Sequence, residues 1–342
     1  MTQPARALHY IAPGRAEIRE TALGEGECLL RMTRSALSRG TERLVFEGRV
    51  PVSEHARMRA PFQTGDFPFP VKYGYCAVAE VIEGPPALQG RMVFALHPHQ
   101  TRFRLPAAAL TPLPEGLSPR LGALAANMET ALNVIWDAAV APGDRVAVIG
   151  AGLVGCLVAW LAGRIPGTQV TLSDPIPARA ATAAALGVGF APPEALSMAP
   201  EADFAPESYA DFAPDFDVAI HASASEAGLT AALNLLGVEG RLVEASWFGD
   251  LAPAVPLGGA FHARRLTLVS SQVGRIPAAR AARWDHARRM QAALRLLAED
   301  PDLEATLIGP PEADAPFESL PARLPALLAR DAPGIATLVA YD

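Results

Sequence analysis

The segment Asp144–Gly155, DRVAVIGAGLVG, joins a short apolar run to a glycine-rich turn. Asp144 to Ile149 reads as a buried strand, and Leu153 to Leu161 reads as a helix. Between them, Gly150-Ala151-Gly152-Leu153-Val154-Gly155 has the spacing G-x-G-x-x-G. A second strand, Gln169 to Asp174, follows, and it ends on an acid 19 residues past Gly155. Glycine-rich turns are common, but strand, turn, helix, strand and terminal acid together are the fingerprint of a dinucleotide site. Gly150 makes the tight turn, Gly152 lets the backbone approach a pyrophosphate, and Gly155 lets helix and strand pack closely. The helix start at Leu153 and Val154 offers N–H groups and a partial positive charge to the phosphates. Asp174 is suited to accept hydrogen bonds from the adenosine ribose and to repel a phosphate there. NAD(H) is therefore expected over NADP(H). Arg179, close by, keeps NADP(H) open.

Beyond this segment, Asp217 to Ile220, Gly240 to Ala245 and Leu266 to Ser270 read as further strands, with a helix at 226–236 and another at 178–186. Strands alternating with helices predict a doubly wound parallel sheet, a Rossmann α/β unit. Before residue 115 the chain is different. Short strand-like runs such as Ala7 to Ile11, Glu27 to Met32, Ala77 to Ile82 and Arg91 to Leu96 are punctuated by Gly and Pro. Pro61 to Gly74 reads as an ordered loop, Leu121 to Ala139 as a buried helix, and 278–299 as one amphipathic helix. Residues 194–214, acidic and Pro-rich, read as a surface excursion.

With 342 residues the chain is long enough for about two domains. The net charge is -7 with both signs interspersed, which argues against nucleic acid and anionic membranes as partners. No apolar run reaches the roughly 18 residues of a membrane span, and the first residues lack the apolar core of a secretory signal. Cys28, Cys76 and Cys156 are too few and too scattered for a disulfide framework or a structural zinc site, so a reducing, cytoplasmic setting is expected. Of the 29 basic residues, Lys72 alone is a lysine. Where charge alone matters this sequence uses Arg, which marks Lys72 for a role that Arg cannot fill, or for chance.

The order of parts resembles the medium-chain dehydrogenase/reductase superfamily, which includes the zinc alcohol dehydrogenases. Pro70 to Glu80 (PVKYGYCAVAE), Gly143 to Val146 and Gly240 to Glu244 carry the likeness together with the fingerprint. It implies a β-rich GroES-like catalytic domain from residues 1–126 and 271–342, and a Rossmann domain over 127–270. It also implies a small-molecule substrate and a homodimer formed through the sheet edge within 242–271. Zinc members hold their metal with a Cys in C-x-[ST]-D, a His in G-H-E and a later Cys, His or Glu. Here those positions fall on Arg39 (or on Ser38 if one residue is inserted), on Tyr75 and on the neighbourhood of Ala126. Arg39 cannot ligate and Tyr75 ligates poorly. The expectation is a zinc-free branch, with Ser38 to Glu42 (SRGTE) and Gly74-Tyr75 similar to the bacteriochlorophyllide (hydroxyethyl-oxidising) dehydrogenases.

Without zinc, other groups must stabilise the substrate oxygen. Thr41 matches the hydroxyl that relays the substrate proton in the family. Tyr75 is a candidate donor, or a base if its pKa falls, or a packed aromatic. Glu42 is more readily an ion pair holding its loop than a catalyst. Glu129 is buried glue or an acid/base. Lys72 would lower the Tyr75 pKa, hold a substrate carboxylate or donate to the substrate oxygen. Thr130, Ser223 and Ser246 join the glycines and Asp174 as cofactor contacts. His97 and His99 form a possible two-His metal pair or a substrate contact, with no metal expected. His221, His262 and His286 default to surface or core roles, and Cys76 to packing. The leading expectation is an NAD-dependent alcohol/carbonyl oxidoreductase. A quinone or enone C=C reductase and a non-catalytic nucleotide-binding protein are the alternatives.

Overall fold

The computed structural model describes residues 4–197 and 216–341. The chain forms two compact units, 1–128 with 286–342, and 129–285. Most of the acidic excursion expected at 194–214 lies outside the described residues.

The second unit is built on a six-stranded parallel sheet. Its strands are β1 (Arg145–Ile149), β2 (Gln169–Ser173), β3 (Gly189–Ala191), β4 (Phe216–His221), β5 (Leu236–Glu244) and β6 (Thr267–Ser270). Their spatial order is β3-β2-β1-β4-β5-β6, with the switch point between β1 and β4 where such sheets bind ligands. The interior of β1 is fully buried at Val146, Ala147 and Val148, as a central parallel strand requires. Helix α1 (Ala125–Ala138) precedes β1, α2 (Leu153–Ala162) follows it, α3 (Arg179–Ala185) follows β2, and α4 (Glu226–Asn234) follows β4. Buried Leu229, Ala232 and Leu233 of α4 pack with Ala147, Ala219 and Leu242 of the sheet.

The first unit contains two sheets. One orders Arg15–Glu20, Arg6–Ala12, Val71–Lys72 and Thr64–Gly65. The other has seven strands, with Cys28–Leu37 at its heart, paired to Ala77–Glu83, Arg102–Leu105 and the C-terminal Thr337–Ala340. The last pairing brings the end of the chain back into the first unit. The ordered loop expected at Pro61 to Gly74 contains two of the short strands.

Two expected helices are divided. The run from Leu121 begins as a short turn, Pro119–Gly122, whose Ser118 hydroxyl caps Leu121 N–H, and α1 starts separately at Ala125. The amphipathic stretch 278–299 splits into Ala278–Ala281 and His286–Ala298. Between these, Trp284 leaves the helical path and packs on Trp136 at 4.8 Å between rings. Ser271 likewise donates to Asp137 of α1. These contacts tie 271–285 to the second unit, so the chain returns to the first unit at 286, later than the sequence places it.

Candidate cofactor and catalytic site

At the β1–α2 turn each glycine has a distinct geometric reason. Gly150 has φ +111, and a Cβ there would meet Ser223 Cβ and N at 2.9 Å. A Cβ on Gly155 would sit 1.8 Å from the Gly150 carbonyl oxygen, so only glycine lets α2 start this close to β1. A Cβ on Gly152 would meet nothing within 4 Å. The space over Gly152, the N-cap of α2, is open, and the N–H groups of Leu153 and Val154 begin the helix there. The cradle is thus tight towards the protein and open on the side from which a phosphate would approach.

Asp174 stands at the end of β2. Its Oδ2 accepts Ala151 N–H at 2.8 Å and its Oδ1 accepts Ile176 N–H at 2.9 Å. The carboxylate therefore fixes the glycine turn while each oxygen retains a lone pair for a ribose hydroxyl. Arg179 opens α3 nearby, half-buried. Ser223 follows β4 and Ser246 follows β5. Ser246 Oγ accepts Ala224 N–H at 3.0 Å. His221 is fully buried and bonded on both ring nitrogens, to Glu244 and Ser223. Glu129 and Thr130 lie in the first half of α1, with Glu129 buried.

In the first unit the expected catalytic groups separate into two clusters. Tyr75 OH donates to Ser38 Oγ at 2.5 Å and also bonds Thr41. Burial raises the phenol pKa well above its ordinary value, and the bonds to Ser38 and Thr41 only partly oppose this. Of the alternatives open for Tyr75, a raised pKa opposes the base and favours the donor. Behind this trio lies Glu42, fully buried. Its Oε1 accepts Ser38 N–H at 2.8 Å, and its Oε2 accepts Tyr10 OH at 2.7 Å and His99 Nε2 at 3.0 Å. His99 Nδ1 meets Ser35 Oγ at 2.7 Å, which meets Tyr341 OH at 2.9 Å. Burial pushes the Glu42 carboxyl up, but His99, Ser38 N–H and Tyr10 OH outweigh it and hold the pKa below the ordinary value.

Lys72 does not join Tyr75. It is 6% exposed, pairs with His9 across the strands, and its ammonium donates to Gln100 Oε1 at 2.8 Å. Burial lowers its pKa. Val71–Lys72 is a paired strand, which fixes the side chain on the Gln100 side, and Gly74 does not turn it back. His97 and His99 do not share a face either. The strand ends at Ala95, before either histidine. His97 stacks on Phe103 at 3.9 Å between ring centres and bonds the Pro98 carbonyl, while His99 enters the Glu42 network. Burial and the Lys72 charge take the His97 pKa down to about 3, so it is a neutral packed ring. Among the described residues, no three His, Cys, Asp or Glu side chains gather as a metal set.

Arg39 spends its guanidinium on the carbonyls of Ala332, Pro333 and Gly334 and on Thr337 Oγ1. Cys76 is buried, its thiol 3.7 Å from Asn127 Oδ1 and its pKa raised mainly by burial. His262 and His286 are exposed. Ser35, Tyr10 and Tyr341 escaped the sequence reading, because each meets its partner from a distant part of the chain.

No family model matches the chain. L-galactonate-5-dehydrogenase of Escherichia coli (strain K12) is 36% identical over 75 residues, a stretch covering 22% of this chain and 22% of that relative. Full-length likeness appears in solved structures. The 2R,3R-butanediol dehydrogenase of Bacillus subtilis superposes with a TM-score of 0.73 at 17% identity, covering 99% of this chain and 100% of that one. A protein of Sinorhizobium meliloti 1021 described as a zinc-binding dehydrogenase, solved with NADP, gives 0.72 at 16% identity over 99% and 100%. The quinone oxidoreductase of Thermus thermophilus, solved also with NADPH, gives 0.66 at 25% identity over 98% and 99%. The chain thus has the fold of the medium-chain alcohol and polyol dehydrogenases, a Rossmann sheet with a separate β-rich unit.

Proposed function

We propose that the chain is an NAD(P)-dependent oxidoreductase that transfers hydride between a nicotinamide and the alcohol/carbonyl carbon of a small molecule, without catalytic zinc. The observation that carries this reading is the β1–α2 turn. Its glycines are closed towards the protein and open over Gly152, with Asp174 at the end of the neighbouring strand. This geometry fits a dinucleotide. The amides at Leu153 and Val154 would face its pyrophosphate, and Asp174 its ribose diol. Thr130, Ser223 and Ser246 complete the proposed contacts. The nicotinamide, when bound, supplies or accepts the hydride.

The residues present do not fit the family's zinc. Arg39 is committed to loop carbonyls and Tyr75 is a neutral phenol hydrogen-bonded to Ser38. In this reading Tyr75, with Thr41 beside it, turns its one O–H proton from Ser38 Oγ to the substrate oxygen and donates a hydrogen bond there. Glu42 orients the loop by holding Ser38 N–H. Glu129 is kept as a candidate acid. Lys72 belongs to the frame through Gln100.

Asp174 favours NAD(H). Reduction of a quinone or enone C=C bond is the second reading, supported by the 25% identity to the Thermus quinone oxidoreductase. Turnover of NADH with aldehydes, ketones and quinones, with metal content measured on the same preparation, tests the proposal. The expected result is carbonyl reduction with far less than one zinc per chain. Near-stoichiometric zinc, lost together with activity on chelation, would contradict it.

A further inference from the structure

His221 ends β4 and Glu244 ends β5, side by side in the parallel register. His221 Nδ1 lies 2.6 Å from Glu244 Oε2, and His221 Nε2 lies 2.7 Å from Ser223 Oγ. The ring is fully buried and stacks against Phe248 at 6.0 Å between centres. The carboxylate is itself oriented, because its other oxygen, Oε1, accepts Ser246 N–H at 2.7 Å. Ser223 sits against Gly150, the first glycine of the fingerprint, and Ala224 follows it in the left-handed region at φ +50. Gly228 leaves room for the array, since a Cβ there would meet Ser223 Oγ at 2.6 Å and His221 Nε2 at 3.0 Å.

With a neutral His221 ring the chain of bonds has one donor order. An ionised carboxylate only accepts, so His221 must donate from Nδ1. In the neutral ring Nε2 is then bare and must accept, so Ser223 gives its hydroxyl proton to His221. What Ser223 presents outward at the glycine turn is lone pairs alone. Such an oxygen welcomes a hydroxyl donor and repels a phosphate oxygen.

We propose that Glu244 and His221 are positioning residues that fix Ser223 as a hydrogen-bond acceptor for a ribose hydroxyl of the bound dinucleotide. This rests on the function proposed above. The backbone supplies a way to reverse the array. In Glu244→Gln, the amide oxygen is required by Ser246 N–H, which turns the amide nitrogen towards His221. That nitrogen donates, so Nδ1 becomes the acceptor and the ring proton moves to Nε2. His221 then donates to Ser223, whose own proton is released outward. An acceptor has become a donor with shape and burial preserved.

The experiment combines nitrogen NMR of the histidine ring in the cofactor-free protein with fluorescence titration by NADH. The expected parent ring carries its proton on Nδ1, and the Glu244→Gln ring carries it on Nε2. The dissociation constant for NADH should rise by about two- to tenfold in Glu244→Gln and in Ser223→Ala. In the double variant it should rise no further than in Ser223→Ala alone, because Glu244 acts only through Ser223. A merely structural Glu244 would weaken binding additively. An unchanged tautomer, a doubly protonated parent ring or additive losses would overturn the proposal. A parent that binds no dinucleotide would instead overturn the function proposed above, and the acceptor role with it. Reversal of the tautomer would still be read separately.

Discussion

Asp174 holds two backbone N–H groups in the free protein. Its loss should therefore act twice, on the ribose and on the turn. Asp174→Ala should raise the dissociation constant for NADH at least tenfold, since a charge-assisted bond is worth about 1.5–3 kcal/mol. It should also lower the melting temperature. Fluorescence titration and thermal unfolding separate the two effects. Lys72 invites the opposite expectation. A buried ammonium with one neutral partner is costly to desolvate, so Lys72→Met should leave stability unchanged or raised. Turnover should also match the parent, and a loss of turnover without a loss of stability would return Lys72 to the reaction. For His97 the folded pKa of about 3 lies below the unfolded 6.5. The unfolded chain binds the proton first as pH falls, so the contribution of His97 is complete above 6.5 and is lost between 6.5 and 3. Glu42, also depressed, adds a loss below its unfolded value of 4.5. Denaturant unfolding at several pH values should show stability falling across this window, and His97→Leu should flatten its upper part.

At the scale of elements, the β1–α2 turn separates folding from binding at two glycines. Gly155→Ala drives a methyl group into the Gly150 carbonyl and should destabilise the protein by about 1–3 kcal/mol or more, as overpacking does. Gly152→Ala fills only open space, so the melting temperature should hold while dinucleotide binding fails. This turn was legible in the sequence because all its parts lie between Asp144 and Asp174. The same holds for the alternation of strand and helix that predicted the sheet. The Glu42 network was not legible. Tyr10, Ser35, His99 and Tyr341 come from four separate segments, and no local pattern relates them. His221 and Glu244 fall between these cases. Both strands were read from sequence, and aligning their C-terminal ends would have paired the two residues. The split of the 278–299 stretch was hidden for a related reason. Its amphipathic pattern continues through Trp284, whereas in the fold Trp284 leaves the helical path and packs on Trp136.

Over the whole molecule, the first unit depends on both ends of the chain. Thr337–Ala340 pairs with the strand containing Ser35, and Arg39 clamps the segment just before it. Arg39 thus closes the unit. Arg39→Lys keeps the charge but loses the planar fork that reaches several acceptors at once. It should cost about 1–3 kcal/mol in unfolding, with no change in NADH affinity. In the proposed function the second unit binds a nicotinamide dinucleotide at its glycine turn, and Asp174 selects the unphosphorylated ribose. Parallel fluorescence titrations of the parent and Gly152→Ala with NADH and NADPH test it most directly. The expected result is saturable NADH binding by the parent, at least tenfold tighter than NADPH, and none by a folded Gly152→Ala. Failure of the parent to bind either dinucleotide, or undiminished binding by Gly152→Ala, would contradict it.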